Sequence, residues 1–149
     1  MANALYDKGR EGYLAGDIDW DADTIRAILV RTSGGGTGPY YTKDLAAHAN
    51  LSDIPDNVDC RPLGSGASTG VALAGKTVTD GVADADPADF GLVTAGDAIQ
   101  LLVLYKDTGT QSTSRLIAAI DTATGLPVTP SGGNVTVNWS GGADKIFKL

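Results

Sequence analysis

The chain has 149 residues and carries 18 Asp and Glu against 11 Lys and Arg, a formal net charge of −7. This acidity disfavours a nucleic-acid-binding protein, because phosphate contacts supply most of such a protein's affinity. No apolar run approaches the roughly 20 residues that a membrane-spanning helix needs, so we expect neither nucleic-acid nor membrane partners. Seventeen of the acids are Asp, and with 20 Gly, 6 Pro and 15 Thr they favour turns and strands over helices. One mainly β domain over residues 1–149 is expected.

The first twenty residues allow two interpretations. Leu5, Gly9 and Tyr13 follow one another at i, i+4 spacing, which predicts a short helix with one apolar face. Gly9, Gly12 and Gly16 weaken a helix, so an extended arm is the alternative. The chain start lacks the charged residues and apolar stretch of a signal peptide, and we expect a protein made in a cytoplasm.

The next part of the chain alternates between one clear strand and polar loops. Thr24–Arg31 is apolar and β-branched, which predicts a strand. Thr32–Pro39 is rich in Gly and predicts a flexible loop. Thr42–Ala49 predicts one or two helical turns, and Arg61–Gly70 predicts a second loop.

From residue 71 onward, short apolar segments alternate with Gly-rich and Asp-rich turns. The clearest segment is Asp97–Lys106, in which alternate residues from Ile99 to Tyr105 share one face and the residues between them share the other. Strands at this spacing, joined by short turns, predict an antiparallel β-sandwich or barrel. The predicted strands are Val71–Thr79, Gly81–Ala85, Phe90–Thr94, Asp97–Lys106, Ser114–Asp121, Val135–Trp139 and Lys145–Leu149.

Residues Gly70–Thr77 match the phosphate-binding pattern G-x-x-x-x-G-K-[ST]. That loop works when it follows a buried strand and opens a helix, so that backbone N–H groups surround the phosphates. The stretch before Gly70 does not predict a strand, and the stretch after Thr77 does not predict a helix. We therefore expect no nucleotide or other cofactor here, and interpret the match as a strand with Gly at its ends.

Two further patterns are typical of nucleophilic catalysis. Gly66–Gly70 matches the G-x-S-x-G elbow, but that elbow needs a histidine later in the chain and His48, the single histidine, comes earlier. Cys60 with His48 could form a thiol–imidazole pair, although a lone cysteine is more often a small buried side chain. The sequence therefore predicts a protein that is not an enzyme.

Acidic residues cluster at two places. Asp17, Asp19 and Asp21 copy the start of a calcium-binding loop, but the sixth position is Ala22 where that loop requires Gly. Asp84–Asp89 is a second cluster of the same kind. Solvated turns beside strands account for both clusters, and we predict no metal site, although a looser cation site stays open.

Several segments resemble a group of small tailed-bacteriophage virion proteins. They are NALYDKGREGYLAGDIDWDADTIRAILV, LSDIP, ALAGKTVTDGVADAD and VLYKDTGTQSTSRLIAAIDTATGLPVTPSGGNVTVNWSGGADKIFKL. The similarity runs from Asn3 to Leu149 and is interrupted at Thr32–Tyr41 and Asn57–Thr69. It implies a location in the virion and no nucleotide role for the ALAGKT stretch. The fold-level analogy among such proteins is to jelly-roll-like capsid decoration, or cement, proteins.

The resemblance and the charge together predict a structural protein on the outside of a phage head, with the major capsid protein as partner and a homotrimer as the assembly. A tail or adhesion-complex component and a glycan-binding surface module are the alternatives. We expect contacts with the capsid through Asn3–Trp20, the part least committed to the β-core. Tyr6, Tyr13 and Trp20 are the candidate contact residues, because Tyr and Trp supply large amphipathic area. The opposite interpretation is that these aromatics fold back on the protein's own core.

Overall fold

The structure is a computed structural model that describes residues 3–149. Met1 and Ala2, which begin the predicted N-terminal helix or arm, lie outside the described residues. Within them the chain is mainly β, with three antiparallel sheets and one short α-helix, as the sequence predicts. The elements are β1 Ala4–Leu5, α1 Asp7–Ala15, β2 Ile25–Val30, a 3₁₀ helix Leu51–Asp53, β3 Val71–Ala72, β4 Thr77–Thr79, β5 Val82–Asp84, β6 Ala88–Leu92, β7 Leu101–Lys106, β8 Leu116–Ile120, β9 Asn134–Val137 and β10 Phe147–Lys148.

A five-stranded antiparallel sheet in the order β1-β8-β7-β2-β3 forms the centre of the fold. Strand β7 pairs along its whole length with β2, from Val30 opposite Leu101 to Ile25 opposite Lys106. All residues of β8 and all but the last of β7 are buried. A strand with apolar residues on both faces must be covered on both faces, and here two different layers do so.

The inner face of this sheet packs against the two smaller sheets. Leu29, Leu102 and Leu104 belong to one buried cluster with Ala83, Val137 and Phe147 of the smaller sheets. Those sheets have the orders β10-β5-β4 and β6-β9. The layers therefore form the sandwich-like arrangement that the strand spacing predicts.

The outer face is covered by the long connection between β2 and β3. Tyr41, Leu51, Ile54 and Cys60 from that connection are buried with the outward-facing residues of the sheet, among them Val103. The connection has little regular structure, so it covers the sheet with individual side chains. A segment predicted as two loops and one or two helical turns thus completes the second half of the core.

The structure corrects several predicted elements. Val71–Thr79 is interrupted into β3 and β4, because Gly75 turns the chain at φ 59° and lies against the Asp86 carboxylate. Ile99 belongs to the inner cluster and not to the face of Leu101, since regular pairing begins only at Leu101. The one or two helical turns predicted for Thr42–Ala49 are a single turn, closed by a hydrogen bond from His48 N–H to the Asp44 carbonyl.

The N-terminal segment is a strand followed by a helix, so the extended-arm alternative is wrong. Strand β1 pairs with β8, and α1 continues along the same side of the sheet. Gly9 and Gly12 are the buried residues of α1. A Cβ atom at Gly9 would lie 2.8 Å from the Ile117 carbonyl oxygen, so glycine permits this approach. The glycines that weaken the helix in isolation allow it to dock.

Candidate functional site

The three aromatic residues predicted to contact a partner lie in or beside the protein's own core. Tyr6 is fully buried and Trp20 is 4% exposed, while Tyr13 is half-buried. The Trp20 ring meets Phe147 edge-on at a centroid distance of 5.3 Å, and its indole N–H donates to the Asp84 carbonyl. The interpretation in which these rings fold back on the core is therefore the arrangement that the structure shows.

This placement also corrects the expectation that Asn3–Trp20 is the part least committed to the β-core. The Asn3 side chain donates to the Thr122 carbonyl and accepts from two backbone N–H groups, including that of Asp121. Tyr6 N–H donates to the Ile117 carbonyl at 2.9 Å. The segment is an integral part of the sheet edge, and its removal would expose apolar surface that it now covers.

The segment that matches the phosphate-binding pattern forms a short strand and a turn. Gly70 lies against the Ala27 backbone at φ 77°, and Val71 begins β3. The Lys76 ammonium group donates a hydrogen bond to the Asp23 carbonyl, and Thr77 begins β4. A loop that leads from strand to strand offers no helix N-terminus to a phosphate.

The residues of the two catalytic patterns have other partners. The Ser68 hydroxyl donates to Asp107 at 3.2 Å, and the Cys60 thiol lies 3.7 Å from the Arg31 carbonyl oxygen. Burial raises the pKa of Cys60 to about 11, which keeps the thiol protonated and unreactive at neutral pH. His48 bonds to a tyrosine instead, so neither pattern becomes a nucleophile–base pair.

That histidine ends a chain of hydrogen bonds that begins in the core. The Tyr6 and Tyr41 hydroxyls are 2.8 Å apart, and the Tyr41 hydroxyl is 2.9 Å from His48 Nδ1. Burial raises the pKa of Tyr6 and raises that of Tyr41 to about 12. The two hydroxyls therefore stay neutral and hold the N-terminal segment to the covering connection.

In the first acidic cluster, Asp19 and the neighbouring Asp23 use their carboxylates within a turn and an ion pair. Asp19 accepts hydrogen bonds from the N–H groups of Asp21 and Ala22, and Asp23 accepts from Asp19 N–H and pairs with Lys106 at 2.9 Å. Within residues 3–149, no group of three or more acidic, His or Cys side chains is arranged to hold a metal ion. These contacts are those of solvated turns beside strands.

Arg61 is a structural residue that sequence reasoning missed. Its side chain is 1% exposed, and its guanidinium donates to the Leu51 carbonyl at 2.8 Å, to the Ile54 carbonyl and to the Gln111 side chain at 2.9 Å. It also pairs with Asp56 at 3.3 Å. One buried cation thus joins the 3₁₀ helix, the Arg61–Gly70 loop and the turn before β8. An arginine inside a Gly-rich segment gives no sequence signal for this role.

The Gly-rich loop of residues 32–39 is also tied down by distant carboxylates. Asp59 accepts hydrogen bonds from the N–H groups of Thr37 and Gly38, and Asp97 accepts from that of Gly35. A Cβ atom at Gly36 would lie 2.4 Å from the Asp59 carboxylate, so a larger residue there would have to displace that side chain. The predicted loop is present, and these bonds fix its path across the end of the sheet.

A cleft at the edge of the sandwich is the candidate partner surface. It has a volume of about 400 Å³ and lies between β1 and β10, with Leu5 on one side and Phe147 on the other. Arg10, Lys145 and Lys148 line it together with a single acid, Asp144. Arg10 pairs with Asp7 at 3.0 Å and Lys145 lies 3.9 Å from Asp84, so most of the positive charge at this edge is balanced by acids of the same chain.

No helix in the described part of the chain is both long and apolar enough to cross a bilayer. Comparison with known protein families and with curated proteins finds no match.

Proposed function

We propose that the chain is a non-enzymatic virion structural protein that binds the outside of a tailed-phage head as a homotrimer and stabilises it. The sequence resemblance supports the virion location. The observation that carries the structural role is the five-stranded sheet, whose central strands are buried on both faces. A close-packed core of this kind deforms little under load, as a protein that reinforces a pressurised shell must.

The charge supports the outer position. A net charge of −7 on a protein inside the head would face packaged DNA and be repelled by its phosphates. On the outside, the same charge meets solvent and keeps the free protein soluble before it binds.

The internal engagement of the reactive side chains supports a non-enzymatic role. Cys60 is buried, and the Ser68 and Lys76 side chains bond to the protein itself. A catalytic nucleophile needs a base within hydrogen-bond reach and access to a substrate. The contacts of these three residues serve packing instead.

A glycan-binding role would call for exposed aromatic rings, and both tryptophans are engaged in the fold. Trp20 is buried, and Trp139 is half-buried with its indole N–H 2.8 Å from the Asp86 carbonyl oxygen. A tail or adhesion-complex role is compatible with the same core and differs in location.

The number of copies per particle tests the proposal against that alternative. Quantitative mass spectrometry of purified virions gives the molar ratio of this chain to the major capsid protein. A decoration protein is expected at hundreds of copies per particle. A ratio that corresponds to three, six or twelve copies would place the chain in the neck or tail and overturn the proposal.

A further inference from the structure

The hydrogen-bond chain from Tyr6 through Tyr41 to His48 joins two segments that lie far apart in the sequence. Tyr6 directly precedes α1, whereas Tyr41 and His48 belong to the connection between β2 and β3 that covers the sheet. Both tyrosines are buried, and His48 is half-buried. We call these three side chains the latch. The histidine is the end of the latch that protons from solvent can reach.

The latch is fully hydrogen-bonded in one direction only. A hydroxyl carries a single hydrogen, and among residues 3–149 the Tyr6 hydroxyl has the Tyr41 hydroxyl, 2.8 Å away, as its one hydrogen-bond partner. When His48 Nδ1 carries no hydrogen, it accepts from the Tyr41 hydroxyl at 2.9 Å, and Tyr41 accepts from Tyr6. Every hydroxyl hydrogen in the latch then has an acceptor.

A hydrogen on Nδ1 reverses this order. The imidazolium N–H then needs the Tyr41 oxygen as its acceptor, so Tyr41 turns its own hydrogen towards Tyr6, and the Tyr6 hydrogen is left without an acceptor. Tyr6 is 0% exposed and belongs to an apolar cluster with Ile28 and Leu51, where an unpaired donor costs its desolvation. Ionisation does not relieve this cost, because burial raises the pKa of Tyr6 and raises that of Tyr41 to about 12.

The charged groups around the latch give a protonated ring other partners. The charged side chains on the elements packed against His48 are Asp7 of α1, Lys43 and Asp44 of its own turn, Asp53 of the 3₁₀ helix and Arg115 ahead of β8. Lys43 and Arg115 are paired with Asp121 and Asp17, and Asp7 with Arg10.

Asp44 is the carboxylate that interacts with His48 directly. Hydrogen bonds from the Ala47 and Ala46 N–H groups, together with the charge of His48, hold the pKa of Asp44 below its ordinary value. This carboxylate is therefore charged at mildly acidic pH and attracts an imidazolium. Protonation thus penalises the ring inside the latch and rewards it beside Asp44.

We infer that His48 makes the latch acid-sensitive: its protonated ring leaves Tyr41, and the N-terminal segment loosens from the covering connection. This inference goes beyond the virion role and does not rest on it, since it uses contacts within one chain. The Asp7 N–H donates to the Leu45 carbonyl at 2.9 Å between the same two segments, so this bond opens with the latch. Because β1 and α1 contact β8, the loosened segment exposes the edge of that strand.

Urea denaturation at pH 7.5 and pH 5.5 tests the latch in the unmodified chain, His48→Gln and Tyr41→Phe. His48 is the single histidine, so the differences among these proteins report its titration. His48→Gln keeps an acceptor for the Tyr41 hydroxyl and cannot gain a charge. Tyr41→Phe is the matched variant, because it keeps the histidine and removes the hydroxyl to which it bonds.

The expected result is an acid response in the unmodified chain alone. An unfolded histidine binds a proton with an ordinary pKa near 6.5, so its linkage to folding can change the unfolding equilibrium constant by at most about tenfold over this window. We expect that constant to rise by about three- to tenfold from pH 7.5 to pH 5.5 in the unmodified chain, and by less than about twofold in either variant.

Hydrogen exchange followed by mass spectrometry separates local opening from global unfolding. After correction for the intrinsic effect of pH, the peptide that contains Asp7 should lose protection at pH 5.5 in the unmodified chain, while the peptide that contains β7 keeps it. In His48→Gln, both peptides should keep their protection at both pH values.

Three outcomes would overturn the inference. Equal pH dependence in the unmodified chain and His48→Gln would mean that another group titrates. An unchanged acid response in Tyr41→Phe would mean that the hydroxyls of the latch play no part. If Tyr41→Phe does not fold, the exchange comparison between the unmodified chain and His48→Gln decides alone, and a loss of protection at Asp7 and in β7 alike would show that acid acts on the whole fold.

Discussion

A Cβ atom on Gly9 would lie 2.8 Å from the carbonyl oxygen of Ile117, so the backbone of α1 lies directly against the edge of β8. Strand β1 covers β8 at Ala118 and Ala119, and the helix continues that cover at Leu116 and Ile117. The N-terminal segment thus closes an edge that would otherwise be open to pairing with another chain.

Gly9→Ala should destabilise the protein by about 1–3 kcal/mol, since the added methyl group must displace the helix from the β8 backbone. The sign is diagnostic, because the same change in a solvated helix stabilises it by about 1 kcal/mol. Urea denaturation measures the difference. Gly133→Ala is the control, because a Cβ atom there has no neighbour within 4 Å, and its effect should stay within about 0.5 kcal/mol. An unchanged midpoint for Gly9→Ala would show that α1 does not dock as described.

Arg61→Met should cost about 3–5 kcal/mol, because it leaves the carbonyls of Leu51 and Ile54 without their donor inside the core. Arg10→Met is the matched control: Arg10 pairs with Asp7 at 3.0 Å on the surface, where both side chains are more than half exposed, and should cost at most about 1 kcal/mol. Equal losses for the two variants in thermal or urea denaturation would contradict the structural role of Arg61.

The raised pKa of Cys60 predicts a specific alkaline sensitivity. Between pH 9 and pH 11, the unfolded chain releases the thiol proton while the folded chain keeps it, from an ordinary value of 9.0 to about 11. Stability therefore falls as pH rises through this window and is unaffected below it. In Cys60→Ala, the decline between pH 9 and 11 should be shallower by up to about 1.4 kcal/mol per pH unit. Parallel stability curves for the two proteins would mean that the thiol is accessible to solvent.

Leu101→Ala tests the position of β7 at the centre of the sheet. Leu101 is 2% exposed and lies opposite Val30, so its truncation should leave a cavity and cost about 2–5 kcal/mol. Val58→Ala, at a side chain that is 69% exposed, should change the free energy of unfolding by less than about 0.5 kcal/mol. A cost under about 1 kcal/mol for Leu101→Ala would indicate a peripheral strand.

The parts of the fold that depend on local apolar patterning could be predicted from the sequence. Thr24–Arg31 and Asp97–Lys106 contain β2 and β7, because their apolar runs are buried on both faces. The interruption of Val71–Thr79 could not be predicted, since it depends on Gly75 meeting the Asp86 carboxylate. Long-range polar contacts of this kind carry no periodic signal.

The candidate contact residues show the same limit. Tyr6 and Trp20 have large amphipathic side chains, and such side chains occur both at interfaces and in cores. Only the pairing of β1 with β8 decides that Tyr6 is buried in this chain. Leu14 in α1 and Leu92 in β6 are exposed apolar residues. The sequence pattern of these two elements does not show which of their residues are buried.

An electron cryo-microscopy map of the virion at a resolution that shows strands tests the account most directly. We predict density for three copies of this sandwich on the outer surface at threefold or quasi-threefold positions. Density on the DNA side of the shell, or a six- or twelve-membered ring at the neck or tail, would contradict it.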